Sequence, residues 1–343
     1  MTVKVLVTGG CGFIGSHVCE FYRKRGDDVI AYDSLTKYEL ERVGYSAGAA
    51  RDYNAEFLKR LGVDLHVKDI RDKHDLLRST EGCDYIVHTA AQPAMTIGWE
   101  DPELDFSTNV RGSFNVLEAA RAHQIPVATC GTVHIYGNAI NEQLSEGETR
   151  YLRDPVEIPE SEPISQGVLT PLHASKRAGE LYVQVYADTY NVKAASFRLT
   201  GLYGPRQFGG EDHGWVANFA IRTVMGRPLR IFGTGKQTRD ILYAADLCEA
   251  FHAFYERPVA GIYNIGGGSD TAISLLECVD MIGEITGKRP EVQMEDGRHG
   301  DLLYFVCNAK HAEQQLGWKA RTSPRQGVGE LIEWIAENEA IFA

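Results

Sequence analysis

Three glycines, Gly9, Gly12 and Gly15, stand directly after the apolar run Val3 to Val7. This spacing builds a phosphate cradle. Gly9 permits a tight turn, Gly12 lets the backbone approach a pyrophosphate, and Gly15 lets the following helix close on the strand. Free N–H groups and the dipole at that helix start favour the phosphate charge. A glycine triplet alone is a weak signal. Here the strand precedes it, and a periodic helix (Ile14, Val18, Phe21) follows. A second strand, Asp28 to Asp33, ends on a carboxylate at the distance where one meets the adenosine ribose of a dinucleotide. Asp33 selects NAD over NADP, because a carboxylate repels a 2′-phosphate.

Such a cradle needs a parallel sheet around it, and the first half of the chain alternates accordingly. Strands are expected at Asp64–Val67, Asp84–His88, Pro126–Thr132 and Ala194–Thr200, with helices over Phe106–His123 and His173–Tyr190. Leu35–Leu61 is polar and irregular, with helix-like patches. The acidic, proline-bearing stretch 138–170 reads as a lid or binding loop, or as a solvated insertion. Beyond Gly204 short Gly/Arg/aromatic motifs alternate with helices, and Ile262–Ile265 returns to the sheet. Helices near Ser274–Thr286 and Gly327–Asn338 close the chain. The fold class is α/β: a Rossmann-type doubly wound parallel sheet with a smaller C-terminal α/β unit. The boundaries expected are 1–200 for the cofactor domain, with a returning segment near 240–266, and 201–343 for the substrate domain.

Composition bounds the partners. The 343 residues carry a formal net charge of −12, which argues against nucleic acid or an anionic membrane. A phosphate-bearing ligand must then be held by a few local cations. Seven cysteines without paired spacing read as reduced thiols in a cytoplasmic protein, and no metal-type Cys/His cluster occurs. The first strand begins at once, so no signal peptide is expected. No apolar run reaches membrane-spanning length.

The glycine motif, Asp33, Asp69-Ile70, His88 to Gln92, Tyr136-Gly137 and Ser175-Lys176 stand in one order that resembles the extended short-chain dehydrogenase/reductase superfamily, the nucleotide-sugar epimerases and dehydratases. Gln92 to Thr96, Gly204 to Phe208, Asp212 to Val216, Gly235 to Asp240, Arg298 to Asp301 and Leu316-Gly317-Trp318 look closest to its CDP-paratose 2-epimerase (CDP-tyvelose epimerase) branch. The resemblance covers essentially the whole chain. It implies an NAD-dependent epimerase that oxidises a nucleotide-activated sugar to a ketone and returns hydride to the other face. It further implies that Gly9, Gly12, Phe13 and Ile14 hold the pyrophosphate, Asp33 the ribose, and Asp69 and Ile70 the adenine. Ala90, Ala91 and Gln92 would line the nicotinamide side, Thr132 would bind the reacting hydroxyl, and Lys176 the nicotinamide ribose. Gln92, Thr132, Arg206, Gln207, His213, Arg239, Arg298 and Asp301 match substrate-binding positions, and an arginine fork suits a diphosphate. A homodimer through the helices Phe106–His123 and His173–Tyr190 is the family expectation.

One position departs from the pattern. The family places its catalytic tyrosine four residues before the lysine, one helical turn away. Here that residue is Leu172, followed by His173, and Val133-His134 replaces the usual polar pair after Thr132. Leucine cannot act as a general base. Three readings follow. Chemistry survives with His134 or His173 as the acid/base, since imidazole titrates near neutrality. Alternatively, the site performs a dehydration or other atypical chemistry. In the third, the protein binds NAD and a nucleotide sugar without turnover.

Overall fold

The computed structural model describes residues 2–36 and 47–343. Seven short, apolar segments pair into one parallel sheet: β1 (Lys4–Thr8), β2 (Asp28–Asp33), β3 (Asp64–Val67), β4 (Tyr85–His88), β5 (Val127–Thr132), β6 (Ala194–Leu199) and β7 (Gly261–Ile265). Their order is β7-β6-β5-β4-β1-β2-β3. The chain therefore runs outward from β1 through β2 and β3, then restarts at β4 on the other side. Val7 pairs with both Ala31 and Val87 across this switch. Such a switch opens a crevice at the carboxyl ends of the strands. Strands covered on both faces read as continuous apolar runs, as Val5, Leu6, Val7, Ile86, Val87 and Phe197 do.

A second apolar cluster lies beyond residue 200. It joins Val216, Phe219 and Ile221 of the helix Trp215–Val224 to Ile282 of Leu275–Thr286 and to Val328, Leu331 and Ile335 of Pro324–Glu337. A small mixed sheet sits beside it, built from Gly201–Tyr203, Thr238–Tyr243, Ala272–Ser274 and Tyr304–Phe305. No helix among the described residues is long and apolar enough to cross a membrane.

Two expectations change and a third is refined. The helix over Phe106–His123 starts earlier and is broken. Asp101 caps a short helix Pro102–Phe106, a π-helical turn spans Ser107–Gly112, and a regular helix follows over Ser113–His123. The polar side chains Asp105 and Asn109 are turned into the protein there, and the wider turn accommodates them. Ala47–Arg60 is a full helix within the stretch expected to be irregular, while residues 37–46 of that stretch lie outside the described residues. Finally, 138–170, expected as a lid or binding loop or as a solvated insertion, is tied down at two points. Tyr151 N–H donates to the Lys236 carbonyl (2.9 Å), and Ile158 N–H donates to the Val306 carbonyl (2.8 Å). These bonds pin it as a strap against the C-terminal segments.

The helix Pro171–Tyr190 carries Lys176 and is anchored from below. Glu180 and Arg198 of β6 are both buried and share two hydrogen bonds of 2.8 Å, and Arg198 also donates to the Tyr136 hydroxyl (2.7 Å). Removing one partner strands the other charge in the interior. Glu180→Ala is expected to lower stability by about 3–5 kcal/mol in urea unfolding. A loss below about 1 kcal/mol would show that water reaches the pair.

Candidate active site

One continuous cavity lies over the carboxyl ends of β1, β2, β4, β5 and β6. At its floor Gly9 adopts φ +69°, and a Cβ there would meet Ala90 N at 2.6 Å. A Cβ on Gly15 would stand 2.0 Å from the Gly9 carbonyl. The helix Phe13–Lys24 therefore sits directly on the turn. Its N-cap, Gly12, offers no side-chain acceptor, so the first N–H groups stay open to the cavity. Asp33 is fixed by two backbone donors, Cys11 N–H at 2.9 Å and Leu35 N–H at 2.7 Å. Each oxygen keeps a lone pair for a ribose hydroxyl. These features fit NAD: a glycine cradle too tight for any side chain, an uncapped helix start, and a carboxylate at the ribose distance.

Asp69 and Ile70 line the same end. Burial works to raise the Asp69 carboxyl, but hydrogen bonds from Arg71 outweigh it and hold the group below its ordinary range. Asn54, which the sequence offers no signal for, donates to the carbonyls of Cys11 (3.1 Å) and Gly12 (3.3 Å) and buttresses the turn. Thr89, Ala90 and Ala91 continue the lining. Gln92 also lines the cavity, but its polar groups face inward. Its Oε1 accepts from Ala94 N–H (2.6 Å), its Nε2 donates to Asp105 (3.0 Å), and Asn109 pairs with its backbone N–H and carbonyl. It splints the loop after β4 onto the π-helical turn. Neither Asp105 nor Asn109 is singled out by the sequence.

Thr132, His134, Leu172, His173 and Lys176 all line this cavity. Lys176 Nζ donates to the Cys130 carbonyl at 3.2 Å, and burial lowers its pKa against the fields of Cys130 and Asp105. The Thr132 hydroxyl accepts from His134 N–H (3.2 Å), which leaves its own proton free to donate. The two imidazoles stack, with centroids 5.8 Å apart and planes 10° apart. They differ in availability. His173 Nδ1 accepts from Thr170 N–H (3.2 Å) in a reciprocal cap of the helix Pro171–Tyr190. That bond assigns the ring proton to Nε2 and occupies the lone pair a base would use. No side-chain hydrogen bond among the described residues engages the His134 ring. Burial, then Arg239 and His173, lower His134 to about 3, so it is neutral at pH 7.

Cations line the far end. Arg239 is buried, with the Thr238 carbonyl at 2.9 Å and Asp301 at 3.7 Å. Arg298 donates to the Glu211 carbonyl (2.9 Å), pairs with Asp212 (3.2 Å) and lies 4.1 Å from the centre of the Phe232 ring. His213 Nε2 is 3.1 Å from the Phe208 carbonyl. Gln207 and the unanticipated Gln237 are buried cavity residues whose Oε1 atoms have no partner among the described residues. Arg206 also lines the cavity, yet its guanidinium is engaged by Glu20 (2.6 Å) and Ser16 (3.2 Å) of the cofactor helix. All three arginines thus line the cavity with a carboxylate beside each, and Arg206 is the one tied to the cofactor helix.

Fold and cavity together define a dinucleotide-dependent enzyme. Residues 5–266 match the model of the NAD dependent epimerase/dehydratase family, and the chain belongs to it. Its cofactor is NAD. It is 30% identical to CDP-paratose 2-epimerase of Salmonella typhi, over 97% of this chain and 99% of that protein. It resembles the UDP-glucose 4-epimerase of Thermus thermophilus, solved with NAD, at 33% identity and TM-score 0.78, covering 97% and 98% of the two chains. The UDP-glucose 4-epimerase of Thermotoga maritima, solved with UDP-glucose, matches at 28% identity and TM-score 0.80 over 98% of this chain and 100% of that one.

The buried histidines set a pH dependence. His17, His88 and His134 fall to about 3 in the fold against 6.5 in the unfolded chain, chiefly through burial. Below pH 6.5 the unfolded chain binds protons that the fold does not, so stability falls as pH drops. Asp240, raised by burial to about 6, opposes this at its lower end. Each group contributes a slope of about 1.4 kcal/mol per pH unit. His173 and His252 are lowered as well and Asp105 is raised as well, so five histidines against two carboxyls predict a lower calorimetric midpoint at about pH 5 than at about pH 7. An equal or higher midpoint would contradict it.

Proposed function

We propose that this enzyme epimerises a nucleotide-activated sugar through a transient keto-sugar, with His134 in the role that the family gives to tyrosine. The observation that carries the reading is the single cavity running from the glycine turn, past Thr132 and Lys176, to Arg239 and Arg298. NAD supplies reversible hydride acceptance when bound there. Arg239 and Arg298 hold the diphosphate, and burial of Arg239 strengthens its demand for an anion. Thr132 donates to the reacting hydroxyl. Burial and Arg239 leave His134 a weak base; a diphosphate on Arg239 offsets part of that, and the imidazole then takes the hydroxyl's proton and gives it back after the ketone has turned. Lys176 contributes positive charge beside the developing oxyanion and orients the nicotinamide ribose. Leu172 supplies an apolar wall on that face. Residues 1–200 with β7 serve as the cofactor half and 201–343 as the nucleotide-sugar half.

Two further features belong to this reading. The seven cysteines, an odd number without paired close spacing, are the ground on which we place the enzyme in a reducing, cytoplasmic setting. Leu181, Tyr182, Val185 and Tyr190 of the helix Pro171–Tyr190 are exposed, as is Phe106, and they supply an apolar face for a second copy of the chain. Val185→Glu is expected to convert a dimer to a monomer in light scattering. A wild-type monomer would refute the dimer.

The decisive experiment is rapid-mixing absorbance of reduced nicotinamide. NAD-loaded protein is mixed with CDP-, UDP-, GDP- and dTDP-sugars. A transient rise with one of them, at least about 100-fold slower in His134→Ala and only modestly changed in His173→Asn, is expected. An unchanged rate in His134→Ala removes that residue from the chemistry. Silence across sugars that demonstrably bind would instead favour dehydration without net redox or a binding role, with Leu172 as the cause.

A further inference from the structure

Arg206 is the expected diphosphate ligand whose charge is already answered inside the fold. Its surroundings assign it another task. The loop 204–208 leaves the strand Gly201–Tyr203 and crosses to the cofactor helix. There the Pro205 carbonyl lies 2.7 Å from His17 Nε2. Burial, reinforced by Arg206, keeps His17 neutral, so one ring nitrogen can donate to that carbonyl at neutral pH. Arg206 itself adopts φ +63°. A side chain in this left-handed region costs on the order of 1 kcal/mol and persists only where its contacts over-determine it. Three contacts do so. Nε donates to Ser16 Oγ (3.2 Å), Nη2 pairs with Glu20 (2.6 Å), and the guanidinium lies 4.3 Å from the centre of the Phe57 ring. Ser16, His17 and Glu20 all sit on the helix whose first turn faces the pyrophosphate. The next two residues also line the cavity. Gln207 donates to the Leu202 carbonyl (3.1 Å) and keeps its buried Oε1 without a partner among the described residues, while Phe208 packs its ring against Tyr53, Trp334 and Phe342 of the second apolar cluster.

We propose that Arg206 is a positioning residue: it fixes Gln207 and Phe208 at the nucleotide end of the cavity from the helix that carries the cofactor, and it does not hold the diphosphate. Gln207 Oε1 then receives a donor from the nucleoside, a ribose hydroxyl or a base N–H. This rests on the nucleotide-sugar reading above.

The test is calorimetric binding of CDP and of UDP to the NAD-loaded protein, with bound NAD and thermal midpoint recorded for each variant. The variants are Arg206→Met, Glu20→Gln, their double, and Gln207→Leu. A positioning role predicts that Arg206→Met and Glu20→Gln weaken the nucleotide by a similar factor, on the order of tenfold, and that the double is no weaker than Arg206→Met alone. Gln207→Leu should weaken it as well, with NAD content unchanged. A direct diphosphate ligand predicts the opposite for Glu20→Gln, whose removal frees the guanidinium and leaves affinity equal or higher. That result overturns the proposal, as does unchanged affinity in Arg206→Met. If the wild-type protein binds neither nucleotide, the nucleotide-sugar reading itself falls. Because Glu20 is partly exposed, Glu20→Gln keeps the test open should Arg206→Met not fold.

Discussion

The contact between Gly15 and the Gly9 carbonyl governs the architecture of the site. No side chain fits there, so the cofactor helix seats directly on the turn after β1. That seating leaves the first N–H groups of the helix pointing at the cavity, and it lets Asp33 reach the turn through Cys11. It also places Ser16, His17 and Glu20 where residues nearly two hundred positions later can grip them. A cradle for phosphate and a clamp for the distant loop are two faces of one helix.

The electrostatics of the cavity run against those of the whole chain. A protein of net charge −12 gathers Arg239, Arg298, Lys176 and neutral imidazoles around one crevice. Burial explains the neutrality of His134 and His173, because desolvation penalises the imidazolium. It also makes the Arg239 charge costly, and Asp301, at 3.7 Å, answers it only in part. The two histidines show how local bonding separates similar groups. One is bound as a helix cap and the other has no side-chain hydrogen bond among the described residues, though both line the cavity with Leu172.

What could be read in the sequence was what local spacing controls. The glycine turn, Asp33, the parallel alternation and the Leu172 to Lys176 turn are set by residues within a few positions of one another, and all are where they were expected. The partners of Arg206 and Gln92 were not legible. Arg206 pairs with Glu20 across 186 positions, and nothing near Arg206 signals that its charge is answered. Gln92 faces inward because Asp105 and Asn109 meet it from a helix whose register shifts through a π-helical turn, and periodicity at 3.6 residues cannot register that shift. Asn54 lies on the helix Ala47–Arg60, which carries other polar residues such as Asp52 and Glu56, so one asparagine does not stand out there.

The return of β7 to the sheet has a consequence for synthesis. When the chain has emerged as far as β6, six strands are present and β6 is an open edge, with the apolar Phe197 and Leu199 on it. Its partner is about sixty residues away, which at roughly 5–20 residues per second is a wait of about 3–12 s. Through that interval the edge is a template for any extended segment. A ribosome stalled between the two strands would release a species poised to aggregate rather than a working half. The two halves of the active site are thus committed to the same molecule by the order in which the chain is made.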